Sequence, residues 1–487
     1  MRTRLPSTLA VAAVLACLTA PAAKSQTDTS LKFSTSVPQA AAEFRAGIRD
    51  WENISFESAN SHFAAAIKAD PSFGLARVLY GVTGNFDGAM TRAQSLAEIN
   101  HGVADAAARG NTNELLLAAA YRESFQGNSR AANEIFDAAA HLMPTDRLVA
   151  VNAVGAVGAG AGPSQFLPAL RDFIAKNPDY APAYNTYAYS AWADGDRTGA
   201  LAAAKKQAEL NPNAPNPHDT YGEILQWNGN FPEALAEYRR ATMTPPRFPG
   251  AYSGMAEVEA LQGHYDQARA YLNQGIANAW TPGQRLFNMF EIAGTYALQG
   301  GATDALIKQL DAVAAEAKAQ QNLEAAAVAI AEKAPTYATA NNVAAAHKAI
   351  ADAKAIVSPE PWDVNYFATM AHALLKHWGP ANQELATLKQ KTTDNPGIRR
   401  TLVAAAEANL ATQQGHPADA LTILMAADTT DISVMNRIAE AHAALGHPAE
   451  ANKWYAKISS DYALHLADFP AVNARRRTRL ATTGSKP

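Results

Sequence analysis

A proline returns every 34 residues through the middle of this chain, and a glycine returns at the same interval within the segments that the prolines end. The prolines are Pro144, Pro178, Pro212 and Pro246, and the glycines are Gly195, Gly229 and Gly263. Sequences with a fixed period of roughly 20 to 50 residues fold as repeat stacks, in which each unit buries its apolar face against its neighbours. We therefore predict a stack of one repeated unit, and this period outweighs any estimate of domain number from the length of 487 residues.

The clearest unit, residues 215–246, indicates what is being repeated. Apolar and small residues follow a helical spacing on both sides of Gly229 and Asn230. Glycine and asparagine accept the positive φ of a tight turn, and proline ends a helix because it lacks an amide hydrogen. The hydrophobic content of 48% includes many alanines and few β-branched runs, which favours closely packed helices. The unit is therefore predicted to be two antiparallel helices, and the chain to contain little or no sheet.

The spacing within these units resembles the tetratricopeptide repeat, whose pattern has a large residue, a small residue, an aromatic residue, a turn glycine, two alanines, a second aromatic residue and a closing proline. In residues 215–246 the matching positions are Tyr221, Gly222, Leu225, Gly229, Asn230, Phe231, Ala234, Tyr238 and Ala241. Residues 181–212 and 249–276 repeat the match, and residues 113–144 contain an earlier copy. The resemblance implies an all-α fold, a tetratricopeptide-type solenoid in which antiparallel helix pairs stack into a right-handed superhelix with a concave binding face.

The clarity of the repeats divides the chain into four predicted regions. Residues 1–25 form a signal segment, residues 31–280 an N-terminal repeat array, and residues 281–470 a degenerate C-terminal array of similar helices. Within the second array, residues 310–400 indicate alternating helices but no confident repeat. Residues 471–487 contain four arginines and no apolar periodicity, so we expect a basic and flexible tail.

The first 25 residues have the layout of a secretory signal, with Arg2 and Arg4, an apolar run from residue 9 to residue 20, and then small residues and Pro21. We expect cleavage after residue 22 or after residue 25, which gives a periplasmic or secreted bacterial protein. The only cysteine, Cys17, lies inside this segment, so a chain cleaved at either place contains no thiol. Alternatively, residues 14–17 resemble a lipoprotein box, in which Cys17 is lipidated and anchors the protein to the membrane.

The sequence contains no pattern that indicates catalysis or a cofactor. It lacks the zinc-protease, phosphate-loop and serine-hydrolase motifs, and its net charge of -4 does not suit a nucleic-acid-binding protein. His372 and His377 lie five residues apart, a poor spacing for one helical face, so we predict no metal site. We therefore expect no enzyme activity, no cofactor and no nucleic-acid partner.

The resemblance also indicates where a partner would bind. In tetratricopeptide repeats the first helix of each pair lines the concave face, and side chains one and five residues after the large opening position point into the groove. The predicted partner-binding residues are therefore Asn185, Tyr189, Asp219, Glu223, Ser253 and Glu257, with Trp192, Gln226 and Trp227 near the far edge of the same helices. This surface is aromatic and acidic, so we expect it to receive an extended or helical segment with basic and apolar side chains. The alternative is that Trp192 and Trp227 only pack between repeats.

Together these features predict a non-catalytic scaffold that binds a protein or peptide. Two alternatives stay open at this point. One is a self-associating structural protein, in which the helix-like apolar run from residue 458 to residue 469 dimerises instead of capping the array. The other is an enzyme whose catalytic domain is hidden near residues 310–400. The sequence does not decide the oligomeric state.

Overall fold

The structure, a computed structural model, describes residues 31–86, 89–161, 163–243 and 248–483. The predicted signal segment, including Cys17, lies outside these residues. All regular secondary structure in the described ranges is helical, and successive helices pack against each other in pairs. The predicted all-α, tetratricopeptide-type arrangement of helix pairs is therefore confirmed.

The helices of the described residues run in chain order, with a π-helical turn at Arg399–Val403 between α22 and α23. They are α1 (Pro38–Glu52), α2 (Phe56–Ala69), α3 (Gly74–Phe86), α4 (Arg92–Arg109), α5 (Thr112–Gln126), α6 (Ser129–Leu142), α7 (Arg147–Ala161), α8 (Pro163–Lys176), α9 (Ala181–Ala193), α10 (Arg197–Leu210), α11 (Pro215–Trp227), α12 (Phe231–Met243), α13 (Gly250–Leu261), α14 (Tyr265–Ala277), α15 (Pro282–Gln299), α16 (Thr303–Ala319), α17 (Leu323–Ala331), α18 (Lys333–Thr339), α19 (Val343–Ile356), α20 (Trp362–Leu374), α21 (Trp378–Lys391), α22 (Pro396–Ile398), α23 (Ala404–Gln413), α24 (Pro417–Met425), α25 (Ile432–Ala444), α26 (Pro448–Ser459) and α27 (Phe469–Thr483).

One turn geometry recurs between the two helices of a pair. At Gly195, whose φ is 87°, the glycine amide donates to the Trp192 carbonyl at 3.0 Å, and the next amide donates to the Ala191 carbonyl at 2.8 Å. These two bonds form the Schellman motif, which satisfies carbonyls at the end of the first helix and reverses the chain. The same positive φ occurs at Gly229, Gly263, Gly415 and Gly446. The glycine period of the sequence is thus the period of this turn.

Between residues 310 and 400, where the repeat pattern of the sequence is weak, other residues form the same turn in place of glycine. Gln321, Asn341 and Lys376 take the left-handed conformation, with φ of 60°, 54° and 58°. After each of them the next amide still donates to the carbonyl five residues earlier, at 2.8 to 2.9 Å. Glu332 separates the short helices α17 and α18. The hairpin geometry therefore continues where the sequence pattern fades.

The described residues fall into two compact units. Those up to Ile224, together with Met243, form the N-terminal unit, and the remaining residues from Leu225 onward form the C-terminal unit. This division lies inside the region predicted as the N-terminal array and not at residue 280. The N-terminal unit begins with an aromatic cluster in which the ring of Phe44 lies 4.9 Å from those of Phe33 and Phe73.

The C-terminal residues form a packed helix, which differs from the flexible tail expected for residues 471–487. Helix α27 packs against α15, α25 and α26 within the C-terminal unit. Arg475 is only 9% exposed and donates to the carbonyls of Asp461 and Ala463, at 2.5 and 2.8 Å. Arg479 donates to the carbonyls of Leu298 and Gln299 at 2.8 and 3.0 Å, at the end of α15 where helix carbonyls lack partners. Arg475 and Arg479 are thus held by backbone carbonyls of a loop and of a helix end.

Candidate functional site

The predicted partner-binding residues lie on α9, α11 and α13, the first helices of their pairs. Within each unit we call this side of the first helices the first-helix face, and in the C-terminal unit it includes α15. In the N-terminal unit, Asn185 donates to the hydroxyl of Thr220 at 2.8 Å. The Tyr189 hydroxyl donates to the Glu223 carboxylate at 2.6 Å. Tyr189 and Glu223 are 34 positions apart and so occupy equivalent places in adjacent repeats, and Thr220 lies one residue beyond the equivalent of Asn185. The polar groups of this face therefore connect one repeat to the next.

Burial is the main cause that raises the pKa of Tyr189 well above its usual value, and the carboxylates of Glu223 and Asp219 add to it. Tyr189 therefore remains a hydroxyl donor to Glu223. Asp219 and Glu223 are half-buried. Trp192, also half-buried, has the Arg197 guanidinium stacked 3.3 Å from its ring centroid. The N-terminal part of the face is aromatic and acidic, as its residue types predicted.

In the C-terminal unit the predicted residues are more deeply buried. Gln226 is fully buried, donates to Glu257 at 3.1 Å and accepts from the Tyr238 hydroxyl at 2.8 Å. Glu257 is 5% exposed. Ser253 donates to the buried Glu291 at 2.5 Å, whereas Trp227 is half-buried at the end of α11.

A non-helical segment of the chain itself contacts this part of the first-helix face. Residues 461–468, which we call the C-terminal segment, contain no helix and precede α27. The Tyr462 carbonyl accepts from Gln226 at 3.3 Å, and the His465 imidazole lies 3.3 Å from the Glu257 carboxylate. The Leu466 carbonyl sits so close to Gly294 that a Cβ at that glycine would be 1.8 Å from the oxygen. The first-helix face of this unit thus accommodates a non-helical stretch of polypeptide.

Leu464 and Leu466 of the C-terminal segment are 1% and 0% exposed, and Phe469, which follows it, is 4% exposed. The apolar run that was considered as a dimerisation surface is therefore covered by the C-terminal unit itself.

A cavity of about 300 Å³ lies beside the end of the C-terminal segment. Its aromatic lining consists of Phe287, Phe290, Trp362, Tyr366, Phe367 and Phe469. Three carboxylates, Glu332, Asp363 and Asp468, also line it, and none of the described lining residues is basic. Phe287 is 48% exposed, so a large apolar side chain marks the opening. We call this the aromatic–acidic pocket.

The carboxylates of the aromatic–acidic pocket are in an unfavourable environment for negative charge. Glu332 is 7% exposed, and its Oε2 makes no hydrogen bond within the described residues. Burial, and secondarily the charges of Asp363 and Asp468, raise the pKa of Glu332 well above its usual value. Burial likewise raises the pKa of Asp363 to about 6. A cation entering the pocket would stabilise the ionised forms of both groups.

Sequence reasoning did not find this pocket, because its residues come from separate places in the chain. Glu332 belongs to the helix break in the stretch without a readable repeat, and Asp468 to the C-terminal segment. The one local signal is the spacing of Trp362, Tyr366 and Phe367, which places three aromatic rings on neighbouring positions of α20.

The described residues also bring three imidazoles together, those of His347, His372 and His377, with one ring nitrogen of each within 4.8 Å of the others. The sequence gives no signal for His347, which lies 25 residues before His372 in the chain. Burial, followed by the neighbouring imidazole of His347, lowers the pKa of His372.

Comparison with known proteins gives likenesses in structure alone. No known family model matches the chain, and no curated protein sequence matches it. A tetratricopeptide repeat protein from Parabacteroides merdae ATCC 43184 is 13% identical, with 61% of this chain and 98% of that chain covered and a TM-score of 0.37. TTC0263, a thermophilic TPR protein of Thermus thermophilus, is 19% identical, with 36% and 96% covered and a TM-score of 0.32. MamA is 16% identical, with 33% and 93% covered and a TM-score of 0.28.

Within the part of the chain that the structure describes, no helix is both long enough and apolar enough to cross a membrane.

Proposed function

We propose that this protein is a non-catalytic scaffold that holds an extended segment of a partner protein on its first-helix face, in the concave groove that tetratricopeptide-type stacking implies. The observation that carries this proposal is the C-terminal segment, a non-helical stretch that ends in a turn and that the C-terminal unit holds on the same face. Recognition of an extended peptide by a preformed surface combines backbone hydrogen bonds with pockets for selected side chains.

The chemistry of the C-terminal segment indicates which partner side chains the face accepts. An imidazole, the basic group of His465, faces the carboxylate of Glu257. Two leucines of the segment are buried, and the ring of Tyr462 packs edge-on against Phe231 at 5.2 Å. A segment with basic and apolar side chains would make the same contacts.

The N-terminal unit offers a similar surface for a partner. Asp219 and Glu223 are half-buried acids on α11, beside the aromatic ring of Tyr189 on α9. Partial burial of these two carboxylates strengthens their attraction for a cationic side chain. Aromatic residues contribute much of the binding energy at protein interfaces.

The aromatic–acidic pocket provides an anchor for one side chain of the partner. Aromatic rings attract a cation through their faces, and the carboxylates of Glu332 and Asp363 supply the opposite charge. A lysine or arginine side chain can contact the rings and pair with the carboxylates, because its methylene stem is apolar and its end is positively charged. We therefore propose a basic residue as the occupant of the pocket.

The direct test measures binding of labelled extended peptides to the purified full chain by fluorescence anisotropy. Peptides of alternating lysine and leucine should bind, and peptides of alternating glutamate and leucine should not. The double variant Asp219→Asn/Glu223→Gln keeps an acceptor for the Tyr189 hydroxyl and removes two charges. It should weaken binding by roughly fivefold to tenfold.

The matched control is Asp172→Asn/Glu209→Gln, which makes the same charge change at exposed positions on the second helices α8 and α10. This control should bind as the wild-type chain does. Equal binding of both peptides, or an equal loss in the control, would contradict the proposed site.

The pocket is tested by the pH dependence of lysine–leucine peptide binding. Since a cation requires ionised carboxylates, affinity should rise from pH 5 to pH 7 as Asp363, with its pKa near 6, loses its proton. The variant Asp363→Asn should bind with less dependence on pH, and an unchanged profile would remove the pocket from the proposal.

We also propose that the chain is exported to the bacterial envelope, on the basis of residues 1–25. Intact mass of the protein recovered from the periplasmic fraction distinguishes cleavage after residue 22 or residue 25 from lipidation at Cys17. Expression of Cys17→Ser should leave export and mass of the mature chain unchanged if the segment is a cleaved signal. Recovery of the protein only in the cytoplasm, with all residues present, would refute export.

A further inference from the structure

Three histidines from three successive elements meet at one end of the α20–α21 hairpin. His347 lies on α19, His372 in the last turn of α20, and His377 directly before α21. The Nε2 of His347 is 3.2 Å from the Nδ1 of His377, and one ring nitrogen of each of the three lies within 4.8 Å of the others. The ring centroids are 5.2 to 6.2 Å apart.

The turn geometry explains why a spacing of five residues brings His372 and His377 together. Lys376 takes the left-handed conformation, and the His377 amide donates to the His372 carbonyl at 2.9 Å. In this Schellman arrangement the residue after the turn returns to the helix terminus. Two imidazoles that a continuous helix would place on different faces therefore become neighbours.

The distances suit a transition-metal ion. Zn²⁺ binds imidazole nitrogens at about 2.0 to 2.1 Å in tetrahedral geometry, so two ligand nitrogens stand about 3.3 Å apart. The pair formed by His347 and His377 already has this spacing, and a small side-chain movement would bring His372 into the set. His372 is 8% exposed, and its Nδ1 makes no hydrogen bond within the described residues. A buried ring nitrogen without a partner costs free energy, and a ligand that engages it recovers that cost.

We propose that His347, His372 and His377 form a binding site for a divalent transition-metal ion, with Zn²⁺ as the ion that three imidazoles and one open position favour. His347 is exposed and gives the ion a path from solvent, whereas the buried His372 forms the inner side of the site.

A second hairpin of the same chain provides an internal comparison. His442 and His447 occupy the same turn positions, with the His447 amide bonded to the His442 carbonyl at 2.9 Å and ring centroids 5.9 Å apart. Aligning the buried Ala346 of α19 with Ala420 of α24 places Leu421 where α19 has His347. The second hairpin therefore has two imidazoles but lacks the third ligand.

The test is isothermal titration of the metal-free full chain, produced without a polyhistidine tag, with ZnCl₂. Wild-type protein should bind about one Zn²⁺ per chain. His347→Leu copies the second hairpin at an exposed position, and His377→Gln removes a ligand beside the turn. Each should weaken binding by at least about 100-fold, because even changes next to metal ligands cost about 10- to 100-fold. The control His447→Gln should bind as the wild type does.

Circular dichroism verifies that each variant keeps its helices, and a Co²⁺ titration gives a second measure, since the visible spectrum reports coordination geometry. A spectrum typical of four ligands should appear with wild-type protein and His447→Gln and be absent with His347→Leu. Absence of saturable Zn²⁺ binding by the wild-type chain, wild-type affinity in a folded His347→Leu variant, or an equal loss in His447→Gln would overturn the proposal.

Discussion

Replacing Gly294 by alanine tests whether the C-terminal segment is held on the first-helix face. The new Cβ would stand 1.8 Å from the Leu466 carbonyl oxygen, so the backbone of the segment must retreat by about 1.6 Å to reach ordinary contact. Insertion of a methyl group into a packed interface lowers the free energy of unfolding by about 1–3 kcal/mol. Alanine also favours the helix over glycine by about 0.5–1 kcal/mol. The control Gly379→Ala, in α21 of the same unit, adds a methyl group with no neighbour within 4 Å and isolates the second effect.

The assay is urea unfolding of both variants followed by circular dichroism, together with hydrogen exchange of the amides of residues 461–468. Gly294→Ala should be less stable than Gly379→Ala by about 1–3 kcal/mol, the cost of the clash. Its C-terminal segment should exchange faster than in the wild type, while Gly379→Ala should leave this exchange unchanged. If both variants unfold at the same urea concentration and exchange alike, the segment does not lie against α15 as described.

Three further predictions concern stability. The Asp363 carboxyl has a pKa of about 6 in the fold against 3.8 as the ordinary value, so the folded state binds more protons between these values. Its contribution to the free energy of unfolding should therefore fall as pH rises from about 4 to 6, and Asp363→Asn should remove this decline in urea titrations at several pH values. Lys376→Gly should raise the free energy of unfolding by about 0.5–1 kcal/mol, because a left-handed φ suits glycine better than lysine, and an unchanged thermal midpoint would contradict this. Arg475→Met should cost about 1.5–3 kcal/mol in urea unfolding, since the carbonyls of Asp461 and Ala463 lose a charged donor; wild-type stability would show that these bonds contribute nothing.

The regular part of the repeat was predictable because its cause is local. A residue with positive φ is needed after each first helix, and glycine marks that position at Gly195, Gly229 and Gly263. Where Lys376 takes the same conformation between α20 and α21, nothing in the residue type indicates it. There the surrounding packing imposes the turn, and a pattern built on glycine loses the repeat.

The candidate site was predictable only in its residue types. The acidic and aromatic character of the first-helix face follows from residues such as Tyr189, Asp219 and Glu223. Their bonding to equivalent positions of the adjacent repeat depends on how the pairs stack, which the sequence shows only as a period. The partner of Glu257 is His465, which lies 208 residues further along the chain. No local rule connects two such positions.

The sequence by itself determined that this protein is a series of helical hairpins, since turn, helix and helix stop are each encoded within about 34 residues. The tertiary structure decided which groups come together at a distance: the C-terminal segment on the first-helix face, the acids around the aromatic–acidic pocket, and the third histidine beside His372 and His377. The physical reason is that hairpin formation depends on neighbouring residues and their φ preferences. Contacts between distant segments depend instead on the sum of the small rotations between successive hairpins along the stack.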